Sequence, residues 1–543
     1  MNKKFLYAGI GLLLSCTTFA QKQDKDAVKF SAVINKDVAY KHLSVLASDE
    51  YEGRETGTRG AWMAAEYIKN QFKSFGLTGP VKDNSDPYFQ PVGYSSFPVI
   101  GNVVINGKTL ESGKDYYFQN NSVSSKGTSL QSASILFAGY GISKDGYNDY
   151  EGQNVAGKIV MVFATGDPTV APAPAPQPGQ QARRQPIAGP TANKVKYLLD
   201  NKAAGVILIN PILDNVTPQL ARMINGNPIL TTAERLKNLD AGAQLPVLNV
   251  STAVANQILA AANLNVEGVK GAITASKKPS TQLINVSINA QASKKEQKIR
   301  AENVLGFLEG SDPKLKEEVL VISSHYDHIG LVADPNAKDK VNNGADDDGS
   351  GTTGVLLVAE AFANAKKAGK GPKRSILFIC VVGEEKGLLG SEWYGEYPVF
   401  PLKNTITNLN IDMIGRGDAA HPDNNFVYII GSNMLSDDLD RIGKEANNTY
   451  TKMFLDEKHN NRTDPERFYY RSDHYNFAKH NIPVIFYFNG VHDDYHAPGD
   501  EVDKIDFPML AKRSQLAYYT AWMLTNGKDR PVVNKDADGK LIK

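Results

Sequence analysis

VLVISSHYDHIG (319–330) and, after a polar loop, NNGADDDGSG (342–351) decide the fold. The first is an apolar run of strand length that ends on His325 and Asp327. The second sets Asp346, Asp347 and Asp348 side by side against a Gly-Ser-Gly turn that opens a helix. Three adjacent carboxylates repel one another and cost desolvation when buried, so this stretch alone reads either as a solvated acidic turn or as a cation site. GTTGVLLVAEAFANAKKAG (351–369) follows, with Leu356, Ala359 and Ala363 on one helical face.

Working outward, SILFICVV (375–382), TNLNID (407–412), FVYIIG (426–431) and IPVIFYF (482–488) are further strand-length apolar runs separated by helical and polar segments. Strand, loop and helix in alternation predict an α/β sandwich with a central, mostly parallel sheet flanked by helices. Ligands of such sheets bind off the carboxyl ends of the strands. Past those ends stand His325, then Glu384 and Glu385, then Asp412, then Tyr495 and His496. One polar residue at a strand end means little; four strands delivering metal-ligand types to one edge, beside the Asp cluster, favour the cation site. Two imidazoles and three carboxylates are a zinc-like ligand set without thiolates, and they exceed what one tetrahedral ion needs. They suit two metals sharing one bridging carboxylate, for which the middle aspartate is placed.

The chain has 543 residues, enough for two or three cores, with 60 Lys+Arg against 59 Asp+Glu. That balance makes nucleic acid and charged membrane surfaces poor partners. The start is different: Lys3 and Lys4, the apolar run Phe5 to Leu14, then Thr18-Phe19-Ala20 read as an export signal over residues 1–20, too short for a membrane span. The protein is therefore expected to be exported, periplasmic or secreted. Leu13-Leu14-Ser15-Cys16 also resembles a lipobox, which would make it a lipoprotein anchored through Cys16. The only other cysteine is Cys380, inside an apolar run, where a small buried hydrophobe is expected.

VAYKHLSVLASDEYEGR (38–54) and GTRGAWMAAEYIKNQFKSFGL (57–77) read as amphipathic helices after a polar lead at 21–35. Glu52, Gly53 and Arg54, in the loop joining them, could reach a site, and no chemistry is assigned to them. Between 121 and 290 the runs ILFAG, KIVMVF, GVILIN and LPVLNV predict a β-rich inserted domain. The Pro/Ala/Gln tract at 169–186 cannot pack a core. The organisation expected is thus 1–20 signal peptide, 21–120 N-terminal helical part, 121–290 insert, 291–527 main domain and 528–543 tail.

SHYDHIG, GADDDGSG, GEEKGLLGS, NIDMIGR and DDYHAPGD, in that order, are similar to the motifs of the M28 family of zinc metallopeptidases, the dizinc aminopeptidases. GYGISKDGYNDYEGQNVAGKIVMVF (139–163) resembles the opening of a protease-associated (PA) domain. The resemblance implies a phosphorylase/peptidase-like α/β sandwich with a PA-like insert. It also implies two Zn²⁺ ions, one held by His325 and Asp412, the other by Glu385 and His496, with Asp347 bridging through a cis peptide to Asp348. Glu384 would be the general base acting on a metal-bridging water, Asp327 the partner of the His325 imidazole, and Tyr495 a donor to the oxyanion. The activity implied is removal of N-terminal residues from peptide substrates. A carboxypeptidase or dipeptidase, or a non-catalytic binding protein on the same scaffold, is the alternative. His328, His421, His459, His480 and His492 are expected at the surface or in loops. Ser472-Asp473-His474 is expected near the substrate pocket, with a structural hydrogen-bonding role equally open. NKDADG (534–539) is read as a plain turn.

Overall fold

The computed structural model describes residues 22–170, 189–216, 224, 229–239, 245–332, 334 and 336–542. The leader, Cys16 and all but the first two residues of the Pro/Ala/Gln tract lie outside them. The chain forms two compact units. The first comprises the described residues up to Gln90 with Glu302–Ile329 and Asn343–Lys543; the second is Pro91–Ala301 with Gly330–Asn342.

The first unit is built on an eight-stranded sheet. Its strands are β1 (Phe89–Pro91), β2 (Glu302–Leu308), β3 (Val319–His325), β4 (Ser375–Val381), β5 (Thr405–Ile411), β6 (Phe426–Ile430), β7 (Phe454–Asp456) and β8 (Val484–Phe488), in the spatial order β1-β2-β4-β3-β5-β8-β6-β7. The β3/β4, β3/β5, β5/β8 and β6/β7 pairs are parallel; β2/β4 and β6/β8 are antiparallel. Every residue of β3, β4 and β5 is buried, because helices cover both faces; β4 is apolar from Ile376 to Val381, whereas β5 buries Thr405, Thr407, Asn408 and Asn410 among its apolar residues. Val319, Val321, Leu377 and Ile379 pack with Tyr394 and Phe477, from helices Leu389–Glu396 and His474–Ala478. Phe378 points the other way, its ring 6.3 Å from Phe72 of helix Arg59–Phe75. Cys380 is fully buried in β4, and burial pushes its thiol up to about 12. Among the described residues no helix is long and apolar enough to cross a membrane.

The expected helices are Lys36–Leu46 and Arg59–Phe75. The polar lead departs from expectation: Lys25–Ser31 is also helical, capped by Asp24, whose side chain accepts the Asp26 and Ala27 amides while Ala27 and Phe30 are buried. Seven residues carry too little periodicity to show this in sequence.

The second unit contains a six-stranded sheet in which Ile135–Ala138, Ile159–Phe163, Gly205–Ile209 and Val247–Val250 are neighbours in parallel. These are the four runs expected. Its limits are wider than 121–290. Val99–Ile105 pairs antiparallel over its whole length with Ile288–Lys294, so segments from the two ends of the insert close on one another.

Candidate metal centre

Asp346, Asp347 and Asp348 are all buried, and only the middle one is left without a structural task. Asp348 Oδ1 accepts the amides of Gly351 (2.9 Å) and Met413 (3.0 Å), and its Oδ2 accepts the amide of His325 (3.0 Å). Asp346 Oδ1 accepts the Gly415 amide (2.6 Å) and the Ser350 hydroxyl (2.9 Å), while its Oδ2 accepts Asn489 Nδ2 (3.0 Å). The Asp347 carboxylate faces outward between two imidazoles. Its Oδ1 is 3.3 Å from His325 Nε2 and its Oδ2 3.1 Å from His496 Nε2. The amides of Asp346 and Asp347 are both held by the Asp500 carboxylate at 3.0 Å, and the Asp347–Asp348 peptide is cis.

The other expected side chains gather around Asp347. His325 Nε2 lies 3.7 Å from Asp412 Oδ1 and 4.0 Å from Glu384 Oε2; His496 Nε2 lies 3.1 Å from Glu385 Oε2. A buried hydrogen-bond chain running in one direction fixes Asp412. Asn408 Nδ2 donates to Ser323 Oγ (2.8 Å), Ser323 to Asn410 Oδ1 (2.6 Å), Asn410 Nδ2 to Ser472 Oγ (2.8 Å), and Ser472 to Asp412 Oδ2 (2.6 Å).

Two expectations need correcting. The N–H at His325 Nδ1 donates to the backbone carbonyl of Asp327 (3.0 Å), while that residue's carboxylate stands 3.8 Å away. The Asp327 carboxylate instead accepts the Glu384 amide (3.1 Å) and the Thr56 hydroxyl (2.7 Å), and so places the loop carrying Glu384 and Glu385. Nor are the remaining histidines uniformly superficial. His328 is fully buried with Nδ1 2.9 Å from Glu385 Oε1; His459 is buried beside Asp464, and His492 Nε2 lies 3.3 Å from Asp346 Oδ2. Loop sequence alone does not distinguish a solvated imidazole from one folded back onto carboxylates.

A further participant is Arg54, 1% exposed. Its guanidinium donates to the carbonyls of Leu46 (2.7 Å), Tyr326 (2.8 Å), Asn343 (2.6 Å) and Gly344 (2.9 Å). It thereby ties the segment that follows His325, the last residue of β3, to the loop that delivers Asp347.

The electrostatics are those of crowded carboxylates short of positive charge. Burial lowers the His325 imidazole, but Asp348, Asp412 and Glu384 outweigh it and hold it well above its ordinary value. Burial likewise opposes the rise of His496, which contacts with Asp347 and Glu385 bring up to about 10. Burial and Asp347 would raise Glu385, yet His328 and His496 hold it at about 2. Glu384 is pushed well above the usual range by burial and by Glu385. Asp347 Oδ2, Glu385 Oε1 and both nitrogens of His328 are buried and make no hydrogen bond, a condition that favours a bound cation. Ligand atoms from His325, Glu384 and Asp412, and from His328, Asp347 and Glu385, form two such groups, each with all atoms within 4.8 Å of one another. Nitrogen and oxygen donors in two adjoining groups fit a pair of zinc-like ions.

His325, Asp347, Glu384, Asp412 and Tyr495 line one cavity, whose other walls include Met413, Phe468, Phe486, Phe488, Val491 and Arg471. The Tyr495 ring stacks on His496 at 3.9 Å. Burial, reinforced by Asp347 and Glu385, raises its hydroxyl, which therefore stays protonated.

An α/β domain presenting imidazoles and carboxylates from the carboxyl ends of its strands is the class these features define. Residues 303–521 match the model of Peptidase family M28, and this domain belongs to that family. A "Probable leucine aminopeptidase" of Arthroderma otae is 29% identical over 241 residues, 43% of this chain and 61% of that protein. A "Probable glutamate carboxypeptidase" of Arthroderma benhamiae is 34% identical over 118 residues, 21% of this chain and 14% of that one. The chain thus spans about three fifths or less of the length of these curated relatives. Among solved structures, a zinc aminopeptidase from Bacillus subtilis superposes with a TM-score of 0.51 at 17% identity, over 91% of this chain and 96% of that one.

Proposed function

We propose that the protein is an exported, zinc-dependent exopeptidase that releases N-terminal residues from peptides. One observation carries the reading: His325, Asp347, Asp412 and the unassigned carboxyl of Glu384 open together into a cavity with apolar walls. His325 and Asp412 would hold one ion and Glu385 and His496 a second, with Asp347 between them. Bound zinc would supply Lewis acidity toward the scissile carbonyl and toward water. Glu384, on the cavity wall 4.0 Å from His325 Nε2, takes the proton of the attacking water and returns it to the leaving amine. The Tyr495 hydroxyl donates to the developing oxyanion. Phe468, Phe486 and Phe488 receive an apolar side chain at the cleaved terminus. The second unit is read as a PA-like module, and residues 1–20 as the export leader, with a lipid on Cys16 as the alternative form.

A second reading has support from Arg471, a cation on the same cavity wall suited to a terminal carboxylate, as a carboxypeptidase or dipeptidase requires. Free, N-blocked and C-blocked aminoacyl chromogenic substrates separate the two: turnover of N-blocked forms alone overturns the aminopeptidase reading. For the site itself, Glu384→Gln is expected to lower turnover by about 10²–10⁴-fold with zinc content unchanged. A variant that stays active would remove Glu384 from the chemistry.

A further inference from the structure

We infer that His328 is an additional protein ligand of the metal position formed by Asp347, Glu385 and His496. The inference rests on the two-ion reading above and goes beyond the five ligands it uses.

His328 has no solvent exposure, and neither ring nitrogen makes a hydrogen bond. Its Nδ1 nevertheless lies 2.9 Å from Glu385 Oε1 and 3.7 Å from Asp347 Oδ2, the same two carboxylates that His496 Nε2 approaches at 3.1 Å each. The contact with Oε1 is short in distance but wrong in angle for a hydrogen bond, as befits donor atoms that converge on a third point rather than on each other. The two imidazoles meet the carboxylate pair from different sides, with ring centroids 5.7 Å apart and planes at 71°.

The chain is shaped to keep the ring there. The His328 amide donates to the Arg54 carbonyl (3.1 Å), and Glu55 and His328 form a parallel bridge, which fixes the backbone. Gly344 clears room for the ring: a Cβ at that position would fall 2.5 Å from His328 Cδ2. Set 2.9 Å from one carboxylate and 3.7 Å from another without a hydrogen bond to either, the buried ring is better satisfied by an ion that both carboxylates share. Coordination gives Nδ1 a partner.

The consequence is an asymmetric pair. His325, Asp347 and Asp412 give one position three protein ligands and stand on the cavity wall, whereas His328 and Glu385 are absent from that wall. With His328 added, the position of Asp347, Glu385 and His496 would have four protein ligands, and the position of His325, Asp347 and Asp412, whose ligands all line the cavity, would be the one presented to substrate.

The test uses the full chain, stripped with a chelator and reloaded with Zn²⁺, for wild type, His328→Phe and His328→Gln. Zinc per chain is measured by atomic emission, affinity by competition with a chromophoric chelator, and stability by melting of the metal-free protein. Wild type should take up two ions. Each variant should retain one at wild-type affinity and bind the other about 10–100-fold more weakly. The metal-free variants should still melt cooperatively, which separates a lost ligand from a lost fold. Two ions in wild type with unchanged affinities in both variants would overturn the inference alone. Fewer than two ions in wild type would overturn the two-ion reading, and this inference with it.

Discussion

Arg54→Met keeps most of the buried stem and removes the guanidinium, so it isolates the clamp between the β3 end and the Asp347 loop. Four hydrogen bonds of 2.6–2.9 Å disappear, leaving the carbonyls of Leu46, Tyr326, Asn343 and Gly344 without that donor. A hydrogen bond from a charged donor contributes about 1.5–3 kcal/mol, but four on one side chain are not additive. The cost of breaking a buried charged network, about 3–5 kcal/mol, is the better guide. Arg54→Lys should recover part of it, since one ammonium cannot reach four carbonyls. All three tryptophans, Trp62, Trp393 and Trp522, belong to the first unit, so their fluorescence in urea reports that unit alone. Loss of the clamp should also loosen the 3.3 Å spacing between His325 and Asp347 and weaken zinc retention by about tenfold or more. A Met variant within about 1 kcal/mol of wild type, holding zinc equally well, would refute the argument.

Ser472→Ala interrupts the chain of donors that ends on Asp412 and leaves Asn410 Nδ2 and Asp412 Oδ2 unpartnered. Activity or metal affinity should fall by about 10–100-fold with little change in overall structure, checked by kinetics and chelator competition. Metal removal should also change how stability depends on pH. Burial, with the nearby Asp412 and Asp327, brings Asp473 up to about 7; burial, with Asp346, brings Asp500 up to about 6. Unfolded carboxyls ionise near pH ~4, so the folded, metal-free protein keeps protons that the unfolded chain has released, and loses stability as pH rises through about 6 and 7. His496 acts in the same direction: its contribution is complete below about 6.5 and is lost as pH rises through about 10. The buried His42 and His474, held down to about 4 and 3, act the other way only up to about 6.5, so melting of the stripped protein should fall from pH ~6.5 to ~8, and zinc should flatten the trend. A stripped protein that melts higher at the alkaline end would contradict the electrostatics described above.

The edge at which these side chains gather was legible because strands buried on both faces are rich in apolar residues, and His325, Glu384, Glu385 and Asp412 stand at or just past their ends, with His496 a short polar stretch beyond the last. That Asp347 rather than its neighbours is free follows from backbone amides claimed by Asp346 and Asp348, which spacing does not display. His328 was misread for the same reason: only the fold turns the segment after β3 back onto Glu385. Arg54 was placed near a site but without a task, since its partners are carbonyls and carbonyls have no letter in a sequence. The second unit was expected to start at 121 because Val99–Ile105 carries Gly101 and Asn102 among its apolar residues and lacks the continuous run of the sheet strands. Helix Lys25–Ser31 depends on Trp522, about five hundred residues later, whose indole donates to Asp24.

Cys380 gives the experimenter a built-in clock. Its sulfhydryl lies in the middle of the sheet and its proton is held up to about 12, so thiol reagents cannot modify it while β4 stays in place. In a chain with Cys16 replaced it is the sole reactive sulfur, and the rate at which a disulfide dye consumes it measures how often the centre of the sheet opens. Followed with and without zinc, that rate tells whether metal binding also keeps the interior closed.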